Sequence, residues 1–144
     1  VMAQALVPSS NAFLTACNLA ATAGDYGLIY VGEQVVVTRL MFLVTAAVVG
    51  ETVAPVVTVY ARPTIGSTAS QVTLGTLTIP DLTAAGKIVY KNIESVKIPQ
   101  GYTIAVAHNQ CTSSGTAAGA GFFMMKSFVN VEDPRNVSLM IASA

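Results

Sequence analysis

Val35-Val36-Val37-Thr38-Arg39-Leu40-Met41-Phe42-Leu43-Val44 is dense in β-branched and aromatic side chains. The stretch starts on three valines and lacks the 3.6-residue period of an amphipathic helix, so it reads as a long strand. Strict alternation places Arg39 on one face with Val37 and Met41. Gly50-Glu51 ends the run with turn chemistry.

The same period-two texture continues outward from this stretch. Pro55 opens a second strand over 56–62, with Val57, Val59 and Ala61 on one face, and Pro63 stops it. Residues 72–79 alternate around Gly75, which marks a bulge or a close backbone approach. Short strands are expected over 86–91 and 93–98, followed by a cleanly alternating one over 102–108. Cys111 to Ala118 is small and polar and reads as a loop tip. Gly119 to Val131 forms a long final strand. Six or seven strands with Gly/Pro punctuation and no intervening helical segment are the pattern of an antiparallel β-sandwich or barrel.

The beginning of the chain is different. Val1 to Ser10 has no periodicity and contains Pro8, and Asn11 to Thr22 fits either a short helix or an extended arm. A first strand is expected over 26–31. The division is therefore an N-terminal arm over 1–25 and a β domain over 26–144, with Leu6, Val7, Phe13 and Leu14 as the arm residues most suited to contacting a partner.

Composition narrows the function. The 144 residues carry seven Lys/Arg and seven Asp/Glu, a net charge of zero and a charged fraction of 10%, where about 25% is usual. No Lys/Arg cluster offers a footprint for nucleic acid or an anionic membrane. The longest apolar stretch, Leu40 to Val49, is far shorter than the roughly 18 residues needed to span a bilayer. Val1-Met2-Ala3-Gln4 lacks the basic start of a signal peptide, although a removed leader would leave the same sequence. A surface with so few charges is poorly protected against association, so part of it is expected to be hidden in a permanent assembly.

Groups suited to chemistry are sparse. Cys17 and Cys111 are isolated and expected to be free and buried, with a disulfide as the alternative. His108 is the single histidine. A His108–Cys111 nucleophilic pair would need an orienting third group, and three residues apart near a strand end the two point to opposite faces. No CxxC, HxxxH or calcium-loop spacing is present, so no metal site is expected. The acids fall mostly at strand ends and turns. Gly115 to Gly121 has no lysine and opens no helix, unlike a phosphate loop. Asn136-Val137-Ser138 matches a glycosylation sequon by chance in this reading. No catalytic residue and no cofactor are expected. Tyr60, Tyr90 and Tyr102 would make a sugar-stacking platform only if they shared one exposed face.

Thr38-Arg39-Leu40-Met41-Phe42-Leu43-Val44-Thr45, Leu74-Gly75-Thr76-Leu77-Thr78-Ile79-Pro80, Ile98-Pro99-Gln100-Gly101-Tyr102-Thr103-Ile104-Ala105-Val106 and Gly121-Phe122-Phe123 together give the chain a particular texture. Over about residues 26–131 it resembles the jelly-roll cement or decoration proteins of tailed-bacteriophage heads. That resemblance implies an eight-stranded antiparallel jelly roll. It also implies a homotrimer on the outer surface of the capsid, bridging neighbouring copies of the major capsid protein of the virion.

The final strand bears on assembly. Alternation puts Phe122, Met124 and Phe128 on one face and Phe123, Met125, Val129 and Val131 on the other, so neither face suits water. Phe122, Phe123, Met124, Met125 and Phe128 are the expected oligomer interface. The rival readings are a receptor- or glycan-binding head of a phage fibre or tail protein, a shell-forming capsid subunit, and an enzyme.

Overall fold

The computed structural model describes residues 6–8, 15–22, 24–30, 34–63 and 68–130. Nine strands are assigned: β1 (Leu6–Pro8), β2 (Thr15–Asn18), β3 (Gly24–Tyr30), β4 (Val35–Val49), β5 (Val56–Arg62), β6 (Val72–Thr78), β7 (Ile88–Ile98), β8 (Thr103–His108) and β9 (Ala118–Asn130). All pairing is antiparallel. One sheet runs β1-β9-β4-β7 with β2 also on β9, and the other runs β3-β8-β5-β6. β1 pairs with 128–130 and β2 with 120–123, so the two short strands lie end to end along one edge of β9. They fill one position, leaving eight positions in two four-position sheets.

The chain crosses between sheets at every connection except β1–β2 and β5–β6. That order is a jelly roll, the expected fold class. The paired strands expected over 86–91 and 93–98 are one strand, β7, whose register against β4 slips between Asn92 and Val96.

The inner faces make one core. Leu40, Phe42, Val44 and Val48 of β4 and Phe123 and Met125 of β9 pack with Val57, Val59 and Ala61 of β5, Leu74 and Leu77 of β6, and Ile104 and Val106 of β8. Val57, Val59 and Ala61 share the buried face, as alternation predicts.

Two expectations are corrected. Residues 15–22, assigned from sequence to the arm of 1–25, belong to the sandwich: β2 pairs with β9, and Cys17 and Leu19 are buried in the core. The Leu19 amide also donates to the Gly119 carbonyl, and the Cys111 amide to that of Leu19. Leu6 and Val7 lie in β1, opposite Asn130 and Val129. Phe13 and Leu14 are outside the described residues.

The second correction concerns the facing of β4. A register shift between Val37 and Arg39 adds one residue to β4 against β9, whereas against β7 the extra residues lie on β7, between Asn92 and Val96. Such a bulge reverses which residues point inward. Val35 and Val37 face the core before it, and Leu40, Phe42 and Val44 after it. Arg39 therefore shares the outer face with Met41 but not with Val37.

Candidate functional site

β4 is flanked by β7 and β9 as far as Leu43, so the outward β4 residues of that span have strand neighbours on both sides. The register gives successive rows across the outer face: Ile88–Leu43–Phe122, Tyr90–Met41–Met124, Asn92–Arg39–Lys126 and Lys97–Val36–Phe128. The first two rows are entirely apolar or aromatic. Ile88 is 54% exposed, Tyr90 58% and Phe122 42%, while Met41, Leu43 and Met124 are half-buried. A contiguous apolar patch of this kind on a sheet face is the usual mark of an interaction surface.

Cations border the patch. The Arg39 guanidinium lies 4.8 Å from the Tyr90 ring centroid, and its Nε donates to Asn92 Oδ1 at 2.7 Å. The Lys126 ammonium lies 5.5 Å from the Phe128 ring centroid. Their aliphatic stems thus cover apolar surface while the charges rest over ring faces. Arg39, Lys91, Lys97 and Lys126 lie on these three strands and Lys87 immediately precedes them, against a single acid, Glu94. The sheet is cationic although the whole chain is neutral.

Of the five residues expected at an oligomer interface, Phe122, Met124 and Phe128 share this outer face. Phe123 and Met125 do not: both are buried in the core. Alternation had separated the two sets correctly but could not say which faced outward. Met41, Leu43, Ile88 and Tyr90 complete the patch and were not singled out from sequence. They come from strands distant in the chain, and no one of those strands shows by itself which residues it will lie beside.

The two thiols and His108 are each in contact with main-chain oxygens. Cys17 and Cys111 are free and buried. Burial pushes the Cys17 thiol up to about 11 and raises that of Cys111, the opposite of an activated nucleophile. Cys111 Sγ lies 3.8 Å from the carbonyl oxygens of both Val49 and Ala118, and His108 Nδ1 is 2.7 Å from the Asn109 carbonyl oxygen. Each thus has a main-chain partner of its own.

The carboxylates of Asp81 and Glu51 hold loops at one end of the sandwich. The Gly50 amide donates to Asp81 Oδ1 at 2.8 Å. Glu51 Oε1 accepts from the Ser114 amide, the Ser114 hydroxyl and the Ser113 hydroxyl, and these bonds hold its carboxyl below the ordinary value of 4.5. Asn109 was not foreseen: it joins β8 to the start of β5 by accepting from the Val56 amide and donating to the Ala54 carbonyl at 3.1 Å. Among the described residues no group of three or more His, Cys, Asp or Glu could hold a metal ion.

The tyrosines do not make a common platform. Tyr90 is on the outer face of the five-stranded sheet, Tyr60 lies in the other sheet beneath the Arg62 guanidinium at 5.7 Å, and Tyr102 packs against the core.

No protein-family model and no curated protein sequence matches the chain. Among solved structures, a chain from "Structure of infectious bursal disease virus Gx strain" is similar over 89% of this chain and 31% of its own length, with a TM-score of 0.37 and 9% identity. The chain thus spans about a third of that neighbour, and a likeness this low has no bearing on function.

Proposed function

We propose that the protein is a structural component of a virus particle. In this reading it is a capsid cement protein that forms trimers on the outer head surface and stabilises the shell by bridging major capsid subunits. The observation that carries the reading is the apolar outer face formed by Met41, Leu43, Ile88, Tyr90, Phe122 and Met124. It is supported by the low charge count and by the resemblance of the sequence to phage decoration proteins.

The physics of the role is simple. A cement protein performs no chemistry and uses no cofactor. It binds the assembled shell more tightly than the free subunits and so stabilises the shell by mass action. Three linked copies reach three sites at once, which turns weak single contacts into slow release. Burying one aromatic side chain contributes about 1.5–3 kcal/mol, so closing the Phe122 face against a neighbouring copy gives a ring a substantial driving force. Threefold closure leaves no such face open.

The test is co-sedimentation of the purified protein with preformed capsids that lack it. The reading expects saturable binding by a trimer and a higher temperature of shell disruption. Absence of binding, or particles assembled from this chain alone, would reject it.

A further inference from the structure

A closed threefold ring needs two complementary surfaces on each copy, because its contacts are heterologous. The Phe122 face supplies one of them. Its rows carry Arg39, Lys97 and Lys126, and Glu94 is the only acid on β4, β7 and β9. Two such faces set against each other would juxtapose like charges, which costs affinity. The surface that complements this face is therefore apolar and acidic.

The loop end that follows β4 has that character. The Ile79 amide donates to the Pro55 carbonyl, that of Gly50 to the Asp81 carboxylate and that of Leu82 to the Val48 carbonyl, so 48–55 and 79–82 are laced together. Leu82 is 79% exposed and Val53 42%. Val72, the other exposed large hydrophobic outside the Phe122 face among the described residues, sits at the opposite end of the sandwich, beside Ala61. Asp81 and Glu51 neighbour Leu82 and Val53 in sequence, and 50–55, 79–84 and 109–117 contain no lysine or arginine.

Leu82 has a φ of 64°, a left-handed backbone that is rare for a bulky side chain. Its turn is fixed: the Val48 amide donates to the Thr83 carbonyl, and the Thr83 amide and hydroxyl both donate to the Pro80 carbonyl. A leucine held outward on such a turn loses little freedom when it inserts into a neighbour. Face and loop end occupy adjacent sides of the sandwich, since β4 runs from one into the other. A contact between adjacent sides turns each copy relative to the last, as closure into a ring requires.

We propose that Leu82 and Val53, with Asp81 and Glu51 beside them, form the second surface of the trimer. They seat on the Met41–Leu43–Phe122 field of the next copy, and their acids meet its cations. The proposal rests on the trimer reading and adds the partner surface that reading leaves unnamed.

The test is multi-angle light scattering over a concentration series on the wild type, Leu82→Asp, Leu82→Lys and Phe122→Asp. Both Leu82 substitutions replace an exposed side chain and should leave the circular dichroism spectrum unchanged. Leu82→Asp loses the apolar anchor and should raise the dissociation constant of the trimer by roughly tenfold or more. Leu82→Lys also sets a like charge against the cationic face and should raise it by roughly a hundredfold. Mixing Leu82→Lys with Phe122→Asp leaves one intact contact, the loop end of the second variant on the face of the first. The mixture should form a dimer at concentrations where neither variant self-associates. A wild-type monomer would overturn the trimer reading and this proposal together. A wild-type trimer that withstands Leu82→Lys, that responds equally to lysine and aspartate there, or whose two variants stay monomeric when mixed would overturn this proposal alone.

Discussion

Gly121 shows how closely this sandwich is packed. A Cβ at that position would collide with the Leu43 carbonyl oxygen and the Phe42 ring, and a backbone oxygen in a central strand cannot step aside cheaply. Gly121→Ala should therefore lower stability by about 1–3 kcal/mol or more, read as a lower denaturant midpoint. The two cysteines give a pH test. With Cys17 pushed up to about 11 against an ordinary 9.0, the folded protein holds that proton more tightly than the unfolded chain. Stability should fall as pH rises from 9.0 toward 11. At pH near 8 iodoacetamide should label both thiols only after denaturation. Glu51 has the opposite sign: its lowered carboxyl stabilises the 113–115 loop above the ordinary carboxylate value, and that contribution disappears as pH falls through the lowered one. Resonances of Ser113 and Ser114 should report the loss. Residue-level chemistry was partly legible, since isolated cysteines are generally buried. The clamps by Glu51 and Asn109 were not, because each joins segments more than fifty residues apart.

At the scale of elements, β9 separates two kinds of phenylalanine. Phe123→Asp places a charge in the core and removes a buried aromatic worth about 3–5 kcal/mol, so it should unfold the domain. Phe122→Asp should leave the circular dichroism spectrum and melting temperature largely unchanged while disrupting self-association. Deleting residues 1–10 removes β1 from β9, so it should lower the melting temperature rather than merely shorten a tail. An unchanged melting temperature would show that β1 contributes nothing. The strands over 35–49, 56–62, 102–108 and 118–130 were legible because half-buried strands alternate or run continuously apolar. Thr15-Ala16-Cys17-Asn18 was not, since four small residues show no alternation and owe their conformation to β9. The bulge between Val37 and Arg39 was also hidden: no glycine or proline marks it, and it exists only relative to the partner strand β9.

For the whole molecule, a neutral jelly roll with few charges places Arg39, Lys91, Lys97 and Lys126 on the sheet that carries the apolar field. The sequence exposed the shortage of charge and the two apolar faces of the last strand, but the patch itself depends on β4, β7 and β9 lying side by side. The central claim is that this face is covered by further copies of the same chain. Multi-angle light scattering of the purified wild type at micromolar concentration tests it most directly. The account predicts a trimer, reduced to a smaller species by Phe122→Asp with the fold intact. A wild-type monomer at that concentration would contradict it.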